Sequence, residues 1–154
     1  MEGEPAREGH TRPVGFLIDT CVWVDVERGA LAPADVAALS QGELIFISPV
    51  TLAELRFGAE IAPDARTRQK RLAALRRLER KPLLPIDGAT GGIFGSLAAQ
   101  IRAAGRQHRY RVQDLWLASQ ALQHSFRLLT RNAHDFEDIP GLDLMLYQLA
   151  SPRP

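Results

Sequence analysis

Four acidic side chains stand where chemistry would use them. Asp19 closes the apolar run Phe16-Leu-Ile18, which reads as a buried strand by its length and flanks, and open parallel sheets bind ligands at the carboxyl ends of their strands. Asp135 follows a second such run, 126–130, across the loop Arg131-Asn-Ala-His134, with Asp138 close behind as a rival. Asp114 opens a helical pattern, where capping and the helix dipole alone favour an acid. Glu54 lies mid-helix, with Val50, Phe57, Gly58 and Ile61 as its neighbours at helical spacing. A carboxylate beside apolar side chains needs a partner or a metal. Singly, each acid has an ordinary explanation as a turn, a cap or the partner of an arginine. Together they suggest one site, because converging carboxylates resist ionisation and a hard divalent cation relieves their repulsion. Oxygen ligands alone select Mg2+ or Mn2+ over zinc. One cysteine (Cys21) and four histidines without H-E-x-x-H spacing offer no zinc pattern. Nothing marks Cys21 as a nucleophile; a small packed side chain is its expected role.

Positioning those acids requires alternating strands and helices, and the chain supplies them. After the 16–18 strand, a helix-prone stretch runs over 32–39 with Pro33 near its start. A second strand spans 44–47. Ser48-Pro49 then gives an N-cap and a first-turn proline, starting a helix to about Glu60. Pro63-Asp64 opens a basic helix with Leu72, Leu75 and Leu78 on one side, and Leu83-Leu84 is a short extended piece between prolines. Residues 89–104 read as helical late and poor early, because Gly91, Gly92 and Gly95 weaken the start. Residues 112–124 form a strong helix, 126–130 a strand, and 144–146 a last strand. The alternation predicts an α/β fold around a mostly parallel sheet. A single domain is expected over 14–150, between a disordered tail at 1–13 and a short one at 151–154.

With 154 residues, 45% hydrophobic and 24% charged, the composition is that of a soluble globular domain and excludes a collagen, a disulfide scaffold or a disordered chain. No apolar run approaches the roughly 20 residues of a membrane helix. The polar first residues contain no apolar core of a secretory signal, and a lone cysteine suits a reducing cytoplasm. A net charge of +1 hides asymmetry: residues 66–81 hold eight Lys/Arg against one acid, Glu79, so the remainder is acidic.

Four stretches taken in order, Leu17-Ile-Asp-Thr20, Thr51-Leu-Ala-Glu-Leu-Arg-Phe-Gly58, Asp114-Leu-Trp-Leu-Ala118 and Leu129-Thr-Arg-Asn-Ala-His-Asp-Phe136, resemble the PIN-domain ribonucleases. The likeness is greatest to the VapC toxins of bacterial toxin–antitoxin pairs, with the FitB-like branch as a close relative. It runs over roughly residues 16–146. The resemblance implies a three-layer α/β/α sandwich and an acidic quartet of Asp19, Glu54, Asp114 and Asp135 around Mg2+ or Mn2+. Thr20, Thr130 and Asn132 match polar positions that support the quartet. It further implies hydrolysis of RNA phosphodiester bonds, an antitoxin whose C-terminal segment lies in a groove and blocks the site, and a homodimer. Phe57, Leu72, Leu75 and Leu78 suit either such a groove or an internal core. One departure is the glycine-rich stretch Thr90-Gly-Gly-Ile-Phe-Gly95, which stands where relatives carry an alanine-rich helix.

An acidic site would repel a polyanion, so basic residues elsewhere must hold the RNA backbone. Arg102, Arg106, Arg109 and Arg111 lead directly into Asp114 and are the expected contacts; the 66–81 segment reads rather as a solvated face or an antitoxin surface. Tyr110, Trp116 and Trp23 are the aromatics available for stacking on bases, though Trp116 shares a helix face with Val112, as a packed residue would. A second reading is a binding module of the same fold with a weak or inactive site, acting through a partner or DNA. A third, a Mg2+-binding phosphatase or receiver-like domain, lacks an Asp-x-Asp after the first strand and a lysine near the end of the last.

Overall fold

The computed structural model describes residues 15–107 and 111–149. The expected tails at 1–13 and 151–154, and Arg109 and Tyr110, lie outside the described residues. In chain order the elements are β1 (Gly15–Ile18), α1 (Thr20–Glu27), α2 (Pro33–Leu39), β2 (Leu44–Phe46), α3 (Pro49–Glu60), α4 (Ala65–Leu78), α5 (Gly88–Ala103), α6 (Val112–His124), β3 (Arg127–Thr130) and β4 (Leu144–Leu146), with a 3-10 turn at Ala133–Asp135 between β3 and β4.

The strands pair in the order β2-β1-β3-β4, every pairing parallel. Side chains alternate across the sheet, and two cores result. Leu17 and Leu128, opposite one another, pack with Leu97 and Ile101 of α5 and Leu115 and Ala118 of α6. Phe16, Ile18 and Leu129 point the other way, onto Val22 and Trp23 of α1, Val36 of α2 and Leu78 at the end of α4. Leu17, Ile18, Leu128 and Leu129 are wholly buried, each contributing about 1.5–3 kcal/mol by leaving water. Helices on both faces of a parallel sheet make the expected three layers.

Local chemistry explains where the helices start. The Ser48 hydroxyl accepts from the Val50 amide at 3.1 Å, and Asp64 accepts from the Thr67 amide at 2.7 Å. Ser48 also donates to the Gln120 side chain, whose Nε2 donates to the Leu84 carbonyl at 2.7 Å. One buried polar chain thus ties the start of α3 to α6 and to the extended piece at Leu83-Leu84, which bridges Ile47.

Two elements differ from expectation. α5 is helical from its first residue. Asp87 caps it, accepting from the Thr90 amide at 3.1 Å while Thr90 returns a bond to the Asp87 amide, and packing against α6 carries the glycines along. α1 is a helix at Thr20–Glu27, where no element was expected. Its β-branched side chains favour strand locally, but Val22 and Trp23 are buried against the sheet, and tertiary packing overrides propensity.

Candidate active site

The chain leaves β1 on one side to reach β2 and returns on the other to form β3. Adjacent strands whose connections part in this way open a crevice at their carboxyl ends. Asp19 and Thr130 are the residues at those two ends. The Asp19 amide donates to the Leu129 carbonyl at 3.0 Å, extending the ladder by one bond. Its carboxylate is buried, and Oδ2 accepts from the Thr130 hydroxyl at 2.8 Å and from the Cys21 thiol at 3.3 Å. Thr130 in turn accepts from the Asn132 amide at 3.0 Å, which fixes the start of the following loop. The Asn132 side chain itself is exposed and makes no hydrogen bond among the described residues.

The fold leaves the four acids within reach of one another's charge. Burial pushes Asp19 above the ordinary carboxylate range, with Asp135 adding to it, against the opposing bonds from Thr130 and Cys21. Burial, then Asp19, raises Glu54, and the single proton of the Thr20 hydroxyl goes to Thr51 at 3.3 Å inside the protein. Asp114 is the most perturbed of the four. Burial and the charges of Asp135, Asp19 and Glu54, in that order, push it up to about 7. One carboxyl that feels three others defines a cluster spread over β1, α3, α6 and the loop after β3. Among the described residues, no three His, Cys, Asp or Glu side chains stand together as a group that could hold a metal ion. The Cys21 thiol is pushed up to about 11 by burial and by Asp19, so it is a neutral donor at this site.

The rivalry between Asp135 and Asp138 has a structural counterpart. Asp138 accepts from Arg106 at 2.6 Å and from both terminal nitrogens of Arg111 at 2.7 Å, and this fork holds its carboxyl down at about 2. Arg111 also donates to the Asp135 backbone carbonyl. Asp135 has no such partner among the described residues and is the acid that Asp114 and Asp19 feel. Arg106 and Arg111 therefore brace the loop that carries Asp135. Arg102 is exposed on α5 beside Ala98, Ala99 and Ala103. Trp116 stacks on Phe94 with ring centroids 4.3 Å apart, and Trp23 is buried in the core, so both serve packing.

A groove of about 240 Å³ opens beside Glu54 between α1, α3 and α4, with Thr20, Trp23, Glu27, Arg71, Leu75 and Leu78 among its walls. Leu75 and Leu78 thus border the groove, whereas Phe57 projects from α3 and is 65% exposed.

One constellation escaped the sequence. Asp25 on α1 is 2% exposed. Its Oδ2 accepts from the Tyr147 hydroxyl at 2.7 Å and lies 3.1 Å from Nε of Arg131, the residue after Thr130. The partners are more than a hundred residues apart in the chain, and no local signal marked Asp25, because no helix was expected there.

The PIN domain family model matches residues 16–142, and the chain belongs to the PIN-domain family. Within it, the chain is similar to ribonuclease VapC5 of Mycobacterium tuberculosis, at 32% identity over 85% of this chain and 92% of that protein. It is similar also to ribonuclease VapC4 of the same organism, at 30% identity over 84% and 94%. Among solved structures, VapBC-5 from M. tuberculosis matches with a TM-score of 0.69 and 27% identity over 89% of this chain and all of that one. VapBC2 from Rickettsia felis, bound to a promoter DNA fragment, matches in fold with a TM-score of 0.74 at 23% identity, over 87% and 99%.

Proposed function

We propose that this chain is a metal-dependent endoribonuclease and the toxin of a VapBC-type pair. The observation that carries the proposal is Asp114, raised to about 7 by burial and by the other three acids of the cluster. A carboxylate whose charge is opposed by burial and by neighbouring acids suits a cation, and all-oxygen donors fit Mg2+ or Mn2+. Asp19 and Asp114 would hold the principal ion, Asp135 would complete its shell or hold a second, and Glu54 would ligate through water or orient the nucleophile. When bound, the ion would activate a water and stabilise charge on the departing oxygen of the phosphodiester. The chain's own contribution is positioning. Thr130 and Cys21 both donate to Oδ2 of Asp19, which fixes the carboxylate and leaves Oδ1 for ligation. Thr20 holds the neighbourhood of Glu54, and Arg111 pins the loop bearing Asp135. Arg102, exposed on α5, would contact the RNA backbone.

The partner reading follows the groove. A small antitoxin segment lying between α1, α3 and α4 would end at Glu54 and close access to the acids. Phe57 on α3 and Ile61 just past its end, 65% and 62% exposed, suit a second copy in a homodimer. Among the described residues no helix is long and apolar enough to cross a membrane, and a reducing cytoplasm is the proposed setting. The test is incubation of purified protein, free of antitoxin, with total bacterial RNA in Mg2+ or Mn2+ against EDTA, with Asp114→Asn alongside. Discrete fragments that need both the metal and Asp114 are expected. No cleavage with either ion, or equal cleavage by the variant, would refute it.

A further inference from the structure

The carboxylate cluster needs cationic side chains to hold a polyanion against it, and two of the expected ones, Arg106 and Arg111, are occupied by Asp138. Arg131 stands differently. It is the residue after Thr130, whose hydroxyl holds Asp19, and it precedes the loop to Asp135. Its side chain is 40% exposed, while that of Asp25, its counter-ion, is 4% exposed. The contact with Asp25 is an ion pair at Nε, 3.1 Å from Oδ2. The terminal nitrogens donate no hydrogen bond among the described residues. Behind the pair, the Tyr147 hydroxyl occupies the same Asp25 oxygen at 2.7 Å, and burial together with Asp25 keeps that phenol protonated. Arg131 is thus a permanently charged fork, paired with Asp25 on its buried side and partly exposed to solvent, on the residue that directly follows the Thr130 end of the crevice.

We propose that Arg131 binds a backbone phosphate of the RNA strand flanking the scissile position, with Asp25 and Tyr147 as the residues that position it. This rests on the ribonuclease reading above. A guanidinium matches two phosphate oxygens at once, and anchoring through Nε lowers the conformational freedom lost when a strand is bound. Neutralising Asp25 needs only the contact at Nε; the remaining donors and their exposure serve a ligand that arrives from solvent.

The experiment measures binding of a fluorescein-labelled oligouridine by anisotropy between about 50 and about 200 mM KCl. Asp114→Asn is the parent, so that nothing is cleaved. Each phosphate contact contributes about 0.7 to the slope of log affinity against log salt for a single strand. Arg131→Gln is expected to make the slope shallower by about that amount and to weaken binding roughly three- to tenfold at low salt. Arg131→Lys is expected to keep the slope and lose part of the affinity. Tyr147→Phe is expected to lower the thermal midpoint without changing the slope. An Arg131→Gln protein that is folded, less stable and unchanged in slope would overturn the proposal and leave Arg131 as the counter-ion of Asp25. Should Arg131→Gln fail to fold, Asp25→Asn/Arg131→Gln removes both charges and carries the same expectation. Because binding is read without cleavage, a wild-type protein that cleaves nothing would count against the ribonuclease reading, while the slope alone decides whether Arg131 contacts phosphate.

Discussion

Asp114→Asn should make the metal-free protein more stable at neutral to mildly alkaline pH, although it removes a functional side chain. The Asp114 carboxyl sits at about 7 instead of its ordinary 3.8. At about 1.4 kcal/mol for each tenfold, an unscreened shift of that size corresponds to roughly 4 kcal/mol. Asp114 is only half-buried, and water screens the repulsion, so about 1–2 kcal/mol is the expected gain. Loss of a favourable charge in the first turn of α6 works the other way, by about 0.5 kcal/mol, and does not reverse the sign. In a chain of this size the net corresponds to a rise of about 2–6 °C in thermal midpoint. The pH dependence follows from the direction of the shift. Between about pH 4 and about pH 7 the folded wild type keeps a proton that the unfolded chain has released, so its stability falls as pH rises through that window and then levels. Asparagine has no such dependence, and the gap between variant and wild type should open across the same window. Millimolar Mg2+ or Mn2+ should invert the order, raising the wild-type midpoint by mass action and leaving the variant unmoved. Scanning fluorimetry in EDTA across pH, then with either ion, measures all of this. An Asp114→Asn protein that is no more stable than wild type at about pH 8 in EDTA, with a parallel pH profile, would refute the coupled-carboxylate account.

Other consequences follow from single contacts. Thr130→Val removes the donor to Asp19 and the acceptor for the Asn132 amide; metal affinity, read by titration calorimetry, should fall about 10-fold or more with the fold retained by circular dichroism. Ser48→Ala deletes a cap and leaves the buried Gln120 oxygen without its donor, which should cost about 2 kcal/mol in urea unfolding with unchanged m. Arg111→Gln releases Asp138, whose carboxyl the two arginines hold at about 2. That pairing stabilises the protein above the ordinary carboxylate range and is lost as pH falls from about 4 toward about 2. Wild type and variant should therefore differ most at neutral pH and converge in acid unfolding, and RNA cleavage should drop as the Asp135 loop loosens.

The candidate site is legible in the sequence to the extent that its signals are local. Asp19 at the end of a four-residue apolar strand, Asp114 in the first turn of a periodic helix, and the Ser48-Pro49 helix start all follow from a few neighbouring residues. So did the parallel sheet, since alternating strand and helix periods leave few ways to bury both. α1 was not legible, because Thr20, Val22, Val24 and Val26 favour strand and only burial of Val22 and Trp23 against β1 and β3 makes that segment helical. The early turns of α5 were hidden likewise, because the weakness of Gly91, Gly92 and Gly95 is local while the Asp87 cap and the α6 surface that overcome it depend on the fold. The roles of the arginines were decided later still. Arg102, Arg106 and Arg111 look equivalent along the chain, yet Asp138 takes up two of them. Arg131 gains its anchor from Asp25 on α1 and, through it, from Tyr147 past the last strand. Residue type and short-range spacing determine which groups can ionise, cap or ligate. Which charges meet depends on sheet order, and that is set by burial of apolar surface across the whole chain.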